Sequence, residues 1–289
     1  MITVVTPTYN REALLRRLYA SLKEQCFEEF TWLIVDDGST DNTSEFIRSI
    51  INSSSFTIKY YQKTNGGKHT ALNYAFDKIK QGWVFFVDSD DYLRKDALEN
   101  LSLSIRNVQN EKVIVFQKMY PDGKYMCQEF PEGIVSLIKL IESGVSGDKS
   151  EIYHSSLFEK FRFPVFDGEN FMAESPMHLA LCDAEKIKCI NYPLTICEYL
   201  PGGLSESSFY NRLKNIDSTL FVYDYQYLYF KRHGNFRMSA RAAVNWWRFK
   251  ILTNRSIKGS AVSVFYFFPA LVVCFKDIVS ERYRGIFNK

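Results

Sequence analysis

The sequence predicts an α/β fold, a mostly parallel sheet flanked by helices, with a helical extension at the C-terminal end. Three observations predict it. Short β-branched or aromatic runs alternate with segments of helical period through the first hundred residues. Each run exits into Gly, Asn, Pro or acidic residues, as a buried strand does where the chain turns. From Phe209 the pattern changes to helical stretches rich in Tyr, Phe, Trp and Arg, which sets expected boundaries at 1–208 and 209–289.

The elements follow in order. Ile2 to Thr6 is a β-branched run that reads as a buried parallel strand, broken by Pro7, Thr8, Tyr9 and Asn10. Leu14, Leu15, Leu18 and Leu22 share one face of a helix over Glu12 to Gln25. Thr31 to Val35 is a second strand ending in Asp36-Asp37-Gly38, with Ser39 or Thr40 placed to cap the helix through Phe46, Ile47, Ile50 and Ile51. Phe56 to Gln62 is a third strand, Asn65-Gly66-Gly67-Lys68 a loop, and Ala71 to Ile79 a helix. Phe85 to Leu93 (FFVDSDDYL) opens as a buried strand and ends in Asp88, Ser89, Asp90 and Asp91.

Beyond it, Ala97 to Val108 reads as a helix and Val113 to Met119 as a strand, with Lys124 to Glu129 as its hairpin partner across Pro121-Asp122-Gly123. Ile134 to Glu142 is a helix, Ile152 to Phe158 a strand, and Phe161 to Phe171 a loop. Glu174 to Cys182 is a helix with Met177, Leu179 and Leu181 as its apolar contacts, and Ile187 to Tyr192 a strand.

Bulk properties bound the function classes. A net charge of +3 is too weak to argue for nucleic acid, and an aromatic share of 16% suits large cores or surfaces that meet sugars or lipid. Six scattered cysteines without metal-ligand spacing fit a reducing compartment, and ITVVTPTYN at the start has no leader pattern, so the chain is expected in the cytoplasm.

In parallel sheets, ligands bind beyond the carboxyl ends of the strands. Tyr9, Asp37 and the Asp88–Asp91 cluster all follow strands, and Lys68 precedes a helix that returns to the same edge. Acids at such a place either cap the next helix or hold a hard divalent cation, Mn²⁺ or Mg²⁺, that grips phosphate oxygens. This turn offers the carboxylates of Asp88, Asp90 and Asp91, of which Asp91 suits a helix cap or a group that supports the ligands from behind. Asp37 is placed to accept hydrogen bonds from a base or ribose, Tyr9 to stack on the base, and Lys68 to face a diphosphate. A phosphatase with an aspartyl nucleophile would need Asp after the first strand, where Pro7 and Thr8 stand.

The stretches VVTPTYNRE (4–12), LIVDDGSTDNT (33–43), NGGKHTALNYAF (65–76) and FFVDSDDYL (85–93) resemble, in order and spacing, family 2 glycosyltransferases of the GT-A, Rossmann-like fold. The resemblance implies inverting transfer of a sugar from a nucleotide sugar, commonly UDP-linked, to a hydroxyl of a glycan or lipid-linked acceptor, as in cell-surface polysaccharide synthesis. It assigns donor binding to Pro7, Tyr9, Asp37, Lys68, Asp88 and Ser89, and metal binding to Asp88 and Asp90. The general base of the family maps to the stretch Gly168–Leu181, where Glu174 is the preferred candidate and Glu169 its rival. YLPGGLS (199–205) resembles a loop that closes over the donor, with Gly202 and Gly203 as hinges. A catalytically inactive nucleotide-binding module is the alternative.

Ala261 to Phe275 is uncharged and apolar, with basic residues on both sides, but is shorter than a membrane-spanning helix and contains Pro269. Two readings fit: an in-plane contact with the inner face of the membrane, or a core helix.

Overall fold

A computed structural model describes residues 1–131, 133–198, 207–253 and 260–279. They form two compact units, Met1–Phe163 with 180–198, and Pro164–Leu179 with the described residues beyond 206.

The first unit is built on a nine-stranded sheet. Along the chain run β1 (Ile2–Thr8), α1 (Glu12–Lys23), β2 (Phe30–Asp36), α2 (Thr43–Ile50), β3 (Thr57–Gln62), α3 (Lys68–Lys78), β4 (Trp83–Phe86), β5 (Tyr92–Leu93), α4 (Ala97–Arg106) and β6 (Val113–Met119). Then come β7 (Ile134–Val135), α5 (Leu137–Glu142), β8 (Lys149–His154), α6 (Ser175–Cys182), which carries the chain out of the second unit, and β9 (Ile187–Ile196). The strand order is β3-β2-β1-β4-β8-β6-β9-β5, with β7 also on β9.

Strands β1 to β4 are mutually parallel, as the alternation of strand and helix requires. β8 runs against β4, and β6 runs against β8, so β6 and its parallel neighbour β9 point the same way as β4. The carboxyl ends of β1, β2, β3, β4, β6 and β9 therefore lie on one edge, while β5, β7 and β8 run in the opposite sense.

Trp32, Phe85, Phe116 and Ile152 pack one face of the sheet against Leu15, Leu18 and Leu22 of α1 and Leu98 and Leu101 of α4. On the other face, Phe76 of α3 stacks on Phe158 at 4.5 Å.

Several elements depart from the periodicity reading. Pro7 does not break β1. It sits in the strand opposite Val35, past Val5, the last β1 residue paired with β4, so its missing N–H costs no bond to that neighbour. Ser39 and Thr40 do not cap α2, which starts at Thr43; the Thr43 N–H donates to Asp41 Oδ1 at 3.0 Å. Lys124–Glu129 forms no strand, only the bridge Met119–Tyr125. Ile134 and Val135 are a strand rather than the start of a helix, because they pair with β9. The strand expected over Ile152–Phe158 lies over Lys149–His154, followed by a 3₁₀ turn over Ser155–Lys160.

The second unit is helical: α7 (Ser208–Lys214), α8 (Ile216–Arg232), α9 (Phe236–Thr253) and α10 (Phe267–Val279). Ile216, Leu220, Tyr227, Ala243, Trp246 and Phe249 form its core. The apolar stretch 261–275 is divided: Val262 is buried in this core, and the helix begins only at Phe267.

Candidate active site

The four strand-end motifs are joined by side-chain bonds. Asn10 adopts φ 51°, a left-handed conformation that Asn tolerates better than most residues, and this brings its amide within reach of the turn after β2. Its N–H donates to Ser39 Oγ at 2.9 Å, and its Oδ1 accepts from the Thr40 N–H at 2.7 Å. Tyr9, next to it, is 46% exposed, whereas Pro7 is buried.

Asp36 and Asp37 divide their work. Asp36 is fully buried and accepts from the Ser39 N–H at 2.7 Å and the Tyr60 hydroxyl at 2.6 Å. Burial, together with this carboxylate, holds the Tyr60 phenol well above its ordinary range. Asp37 is 3% exposed and binds the Asn65–Gly67 loop. Its Oδ1 accepts from Lys63 Nζ at 2.5 Å and the Gly66 N–H at 3.1 Å, and its Oδ2 accepts from the Gly67 N–H at 2.6 Å. Gly38 permits the approach: at φ +82° it has no Cβ, and a Cβ there would lie 2.9 Å from the Asn65 nitrogen. In this arrangement Asp37 sets the shape of the loop that delivers Lys68.

Lys68 opens α3, and its Nζ lies 2.6 Å from Asp88 Oδ1. The Gly-Gly-Lys loop and the acidic turn after β4, remote in sequence, thus meet at one edge. The Asp88 side chain is 42% exposed, Ser89 is buried and Asp90 half-buried. The turn is closed by the Asp91 N–H donating to the Asp88 carbonyl at 3.1 Å.

Asp91 is not a helix cap. Residues 92–93 are β5, and α4 begins later, at Ala97. The Asp91 carboxylate is buried and lies 2.8 Å from Lys118 Nζ at the end of β6. Burial pushes the Asp91 carboxyl up against the pull of Lys118, to which it is paired. Burial alone would favour a neutral Lys118 amine, but the Asp91 carboxylate beside it overrides that and holds the lysine protonated well above its ordinary range. Cys197, following β9, adjoins the pair, and burial raises its thiol.

Arg17 of α1 braces the same turn. Its Nη2 donates to the Asp90 carbonyl at 2.5 Å, its Nη1 pairs with Glu198 at 2.7 Å, and the guanidinium lies over the Tyr92 ring at 4.8 Å. Sequence reasoning missed Asn10, Arg17, Lys63 and Lys118. Asn10 and Arg17 lie in or beside the first motif, but nothing in the periodicity marks Lys63 or Lys118, because strand topology brings them to the edge.

A metal fits this donor set in one manner. Among the described residues no group of three or more His, Cys, Asp or Glu is placed to hold an ion by itself. Asp88 and Asp90 supply hard oxygen donors, and Mg²⁺-type sites commonly take one or two carboxylates and complete their shell with substrate phosphates and water.

The candidate bases belong to the second unit. Glu169 Oε1 accepts from the Asp217 N–H at 2.8 Å and Oε2 from the Ser218 N–H at 2.7 Å, so its carboxylate caps the first turn of α8. Asn215 Oδ1 returns the contact, accepting from the N–H groups of Asn170 and Phe171 at 2.8 and 3.1 Å. Glu174 precedes α6, with a side chain 28% exposed and 4.0 Å from His178 Nε2. The 199–205 segment lies outside the described residues.

Residues 3–127 match the profile of glycosyl transferase family 2. An uncharacterized glycosyltransferase of Haemophilus influenzae is 26% identical over 270 residues, 92% of this chain and 93% of that protein. The poly(ribitol-phosphate) beta-N-acetylglucosaminyltransferase TarS of Staphylococcus aureus is 31% identical over 161 residues, 54% of this chain but only 28% of TarS. The crystal structure of TarS 1–349 in complex with UDP-GlcNAc shares the fold, with a TM-score of 0.67 at 19% identity over 100% of this chain and 93% of that one. The family 2 match over residues 3–127, the glycosyltransferase relatives and the fold shared with TarS together support a family 2 glycosyltransferase with the GT-A fold.

Proposed function

We propose that the enzyme moves a sugar from a nucleotide-diphosphate sugar, UDP-linked by preference, to a hydroxyl of a glycan or lipid-linked acceptor, with inversion at the anomeric carbon. The observation that carries this reading is the 2.6 Å contact of Lys68 with Asp88, which joins the Gly-Gly-Lys loop to the acidic turn at the carboxyl edge of the sheet. Cation and carboxylate side by side suit a diphosphate: Lys68 would face its oxygens, and Asp88 and Asp90 would hold Mn²⁺ or Mg²⁺. When bound, that ion neutralises charge on the departing nucleoside diphosphate. Tyr9 is exposed enough to stack on the base, and Ser89 lines the turn. Pro7 and Asp37 belong to the donor site as buried supports, Asp37 through the loop it holds.

Glu174 is the general base that takes the acceptor proton, because the carboxylate of Glu169 is committed to α8. The setting is cell-surface polysaccharide synthesis on the cytoplasmic side. In support, TarS, as its name states, transfers N-acetylglucosamine to poly(ribitol-phosphate).

The test is a thermal-shift and transfer screen of UDP-, GDP- and dTDP-sugars with and without Mn²⁺. UDP-sugars should stabilise the protein, more strongly with Mn²⁺, and Lys68→Met should weaken UDP binding about 10- to 100-fold, the worth of a charged hydrogen bond. Failure of every nucleotide sugar to stabilise the protein sinks the reading. Donor binding without turnover would make the chain an inactive nucleotide-binding module, and binding indifferent to Mn²⁺ would remove the metal role of Asp88 and Asp90.

A further inference from the structure

Beyond the contact of Phe267, at its first turn, with Trp247 of α9 at 5.3 Å, helix α10 turns most of its large apolar side chains away from α9. The buried positions of α10 are small or polar: Ala270, Cys274 and Asp277. Asp277 receives the Arg248 guanidinium through both carboxylate oxygens, at 2.5 and 2.6 Å, and the Cys274 thiol donates to the Arg248 carbonyl at 3.6 Å. The opposite face carries Phe268, Val272, Phe275 and Val279 at helical spacing, with Phe265 just before the helix, and the three phenylalanines are 75, 73 and 69% exposed at 265, 268 and 275. The outward stripe is apolar and the inward one holds an ion pair. A contiguous aromatic and aliphatic face of this kind marks a surface that meets something else.

We propose that this face lies in the surface of a lipid bilayer bearing anionic headgroups. Charge selects the occupant. Residues 231–289 contain twelve Lys and Arg against two Asp and Glu, while residues 1–230 have an acidic balance. Of the two acids, Asp277 is neutralised by Arg248. Lys276 is exposed beside the apolar stripe, where an ammonium can reach headgroup phosphates while its neighbours enter the acyl boundary. A second copy of the chain would bring the same excess of positive charge against itself, which opposes self-association through this face. The helix has thirteen residues and is therefore about 20 Å long, short of the roughly 30 Å hydrocarbon core, so it lies in the interface plane. No helix among the described residues is long and apolar enough to cross a membrane. The inference is independent of the donor chemistry at the sheet edge.

The experiment is co-sedimentation of the full chain with vesicles of phosphatidylcholine alone and of phosphatidylcholine mixed with phosphatidylglycerol. The expected result is pelleting with the anionic vesicles, weakened by salt, and a loss of about tenfold or more in the bound fraction for Phe268→Ser with Phe275→Ser. Both positions are exposed, so circular dichroism and the thermal shift by UDP should match the parent, which separates this test from that of the donor site. Leu103→Ser, an exposed apolar position in the first unit, should bind vesicles as the parent does. The proposal is overturned if the parent stays in the supernatant with anionic vesicles, or if the double variant binds equally well. A concentration-dependent dimer in light scattering, abolished by the double variant and without vesicle binding, would assign the face to a second copy and also overturn it.

Discussion

The carboxylate of Glu169 accepts the backbone N–H of Ser218 at 2.7 Å, and its other oxygen takes the N–H of Asp217. A side chain forty-nine residues away in sequence thus satisfies two of the donors that a helix leaves open at its start, with its negative charge at the positive end of the helix dipole. This separates the two candidate bases by experiment. Glu169→Ala should lower stability by about 1 kcal/mol, within the usual range of 0.5–2 for a lost cap, and leave turnover measurable below the melting transition. Glu174→Gln should leave stability and UDP binding unchanged and abolish transfer. Near-normal turnover in Glu174→Gln, followed by donor consumption and product formation, would remove that residue from the reaction.

Lys118 and Asp91 form a buried pair whose members come from β6 and from the acidic turn. Lys118→Met strands a buried carboxylate and should cost about 3–5 kcal/mol in urea unfolding, whereas Lys118→Met with Asp91→Leu should recover most of it. If the single variant unfolds as the parent does, the pair does not hold the turn in place.

His69 gives a pH test. It is buried in α3 beside Phe163 with neither ring nitrogen hydrogen-bonded, and burial holds its pKa below the ordinary histidine value. The unfolded chain takes up a proton as pH falls through about 6.5, while the folded chain resists it. This contribution to stability is therefore complete above that pH and is lost as pH falls toward the depressed folded value. His69→Leu should flatten the slope of stability against pH just below 6.5, measured by denaturant unfolding at a series of pH values. An unchanged slope would contradict the neutral buried state.

The edge where the motifs gather is legible in the amino-acid sequence because its chemistry is local. A strand that must be buried, followed at once by residues that cannot be, betrays a strand end in a few letters, and VDDGS, NGGK and DSDD each show that contrast. The same logic does not show which partners those residues meet. Asp91 is legible as an acid after a strand, yet only the reversal of β8 between β4 and β6 brings Lys118 to it. Asp37 reads as a group facing the ligand, and its carboxylate also accepts from the Gly66 and Gly67 N–H groups, a contact that periodicity does not show.

By itself, then, the sequence determined the α/β class, the mostly parallel sense of the sheet, the edge at which the motifs gather and the apolar character of the C-terminal stretch. These follow from periodicity and from the cost of burying polar groups, which act over a few residues. Only the tertiary structure decided that Glu169 caps a helix, that Lys118 answers Asp91, and which face of α10 turns outward. Each depends on partners dozens of residues apart, and which partners meet is settled by strand order and helix packing across the whole chain.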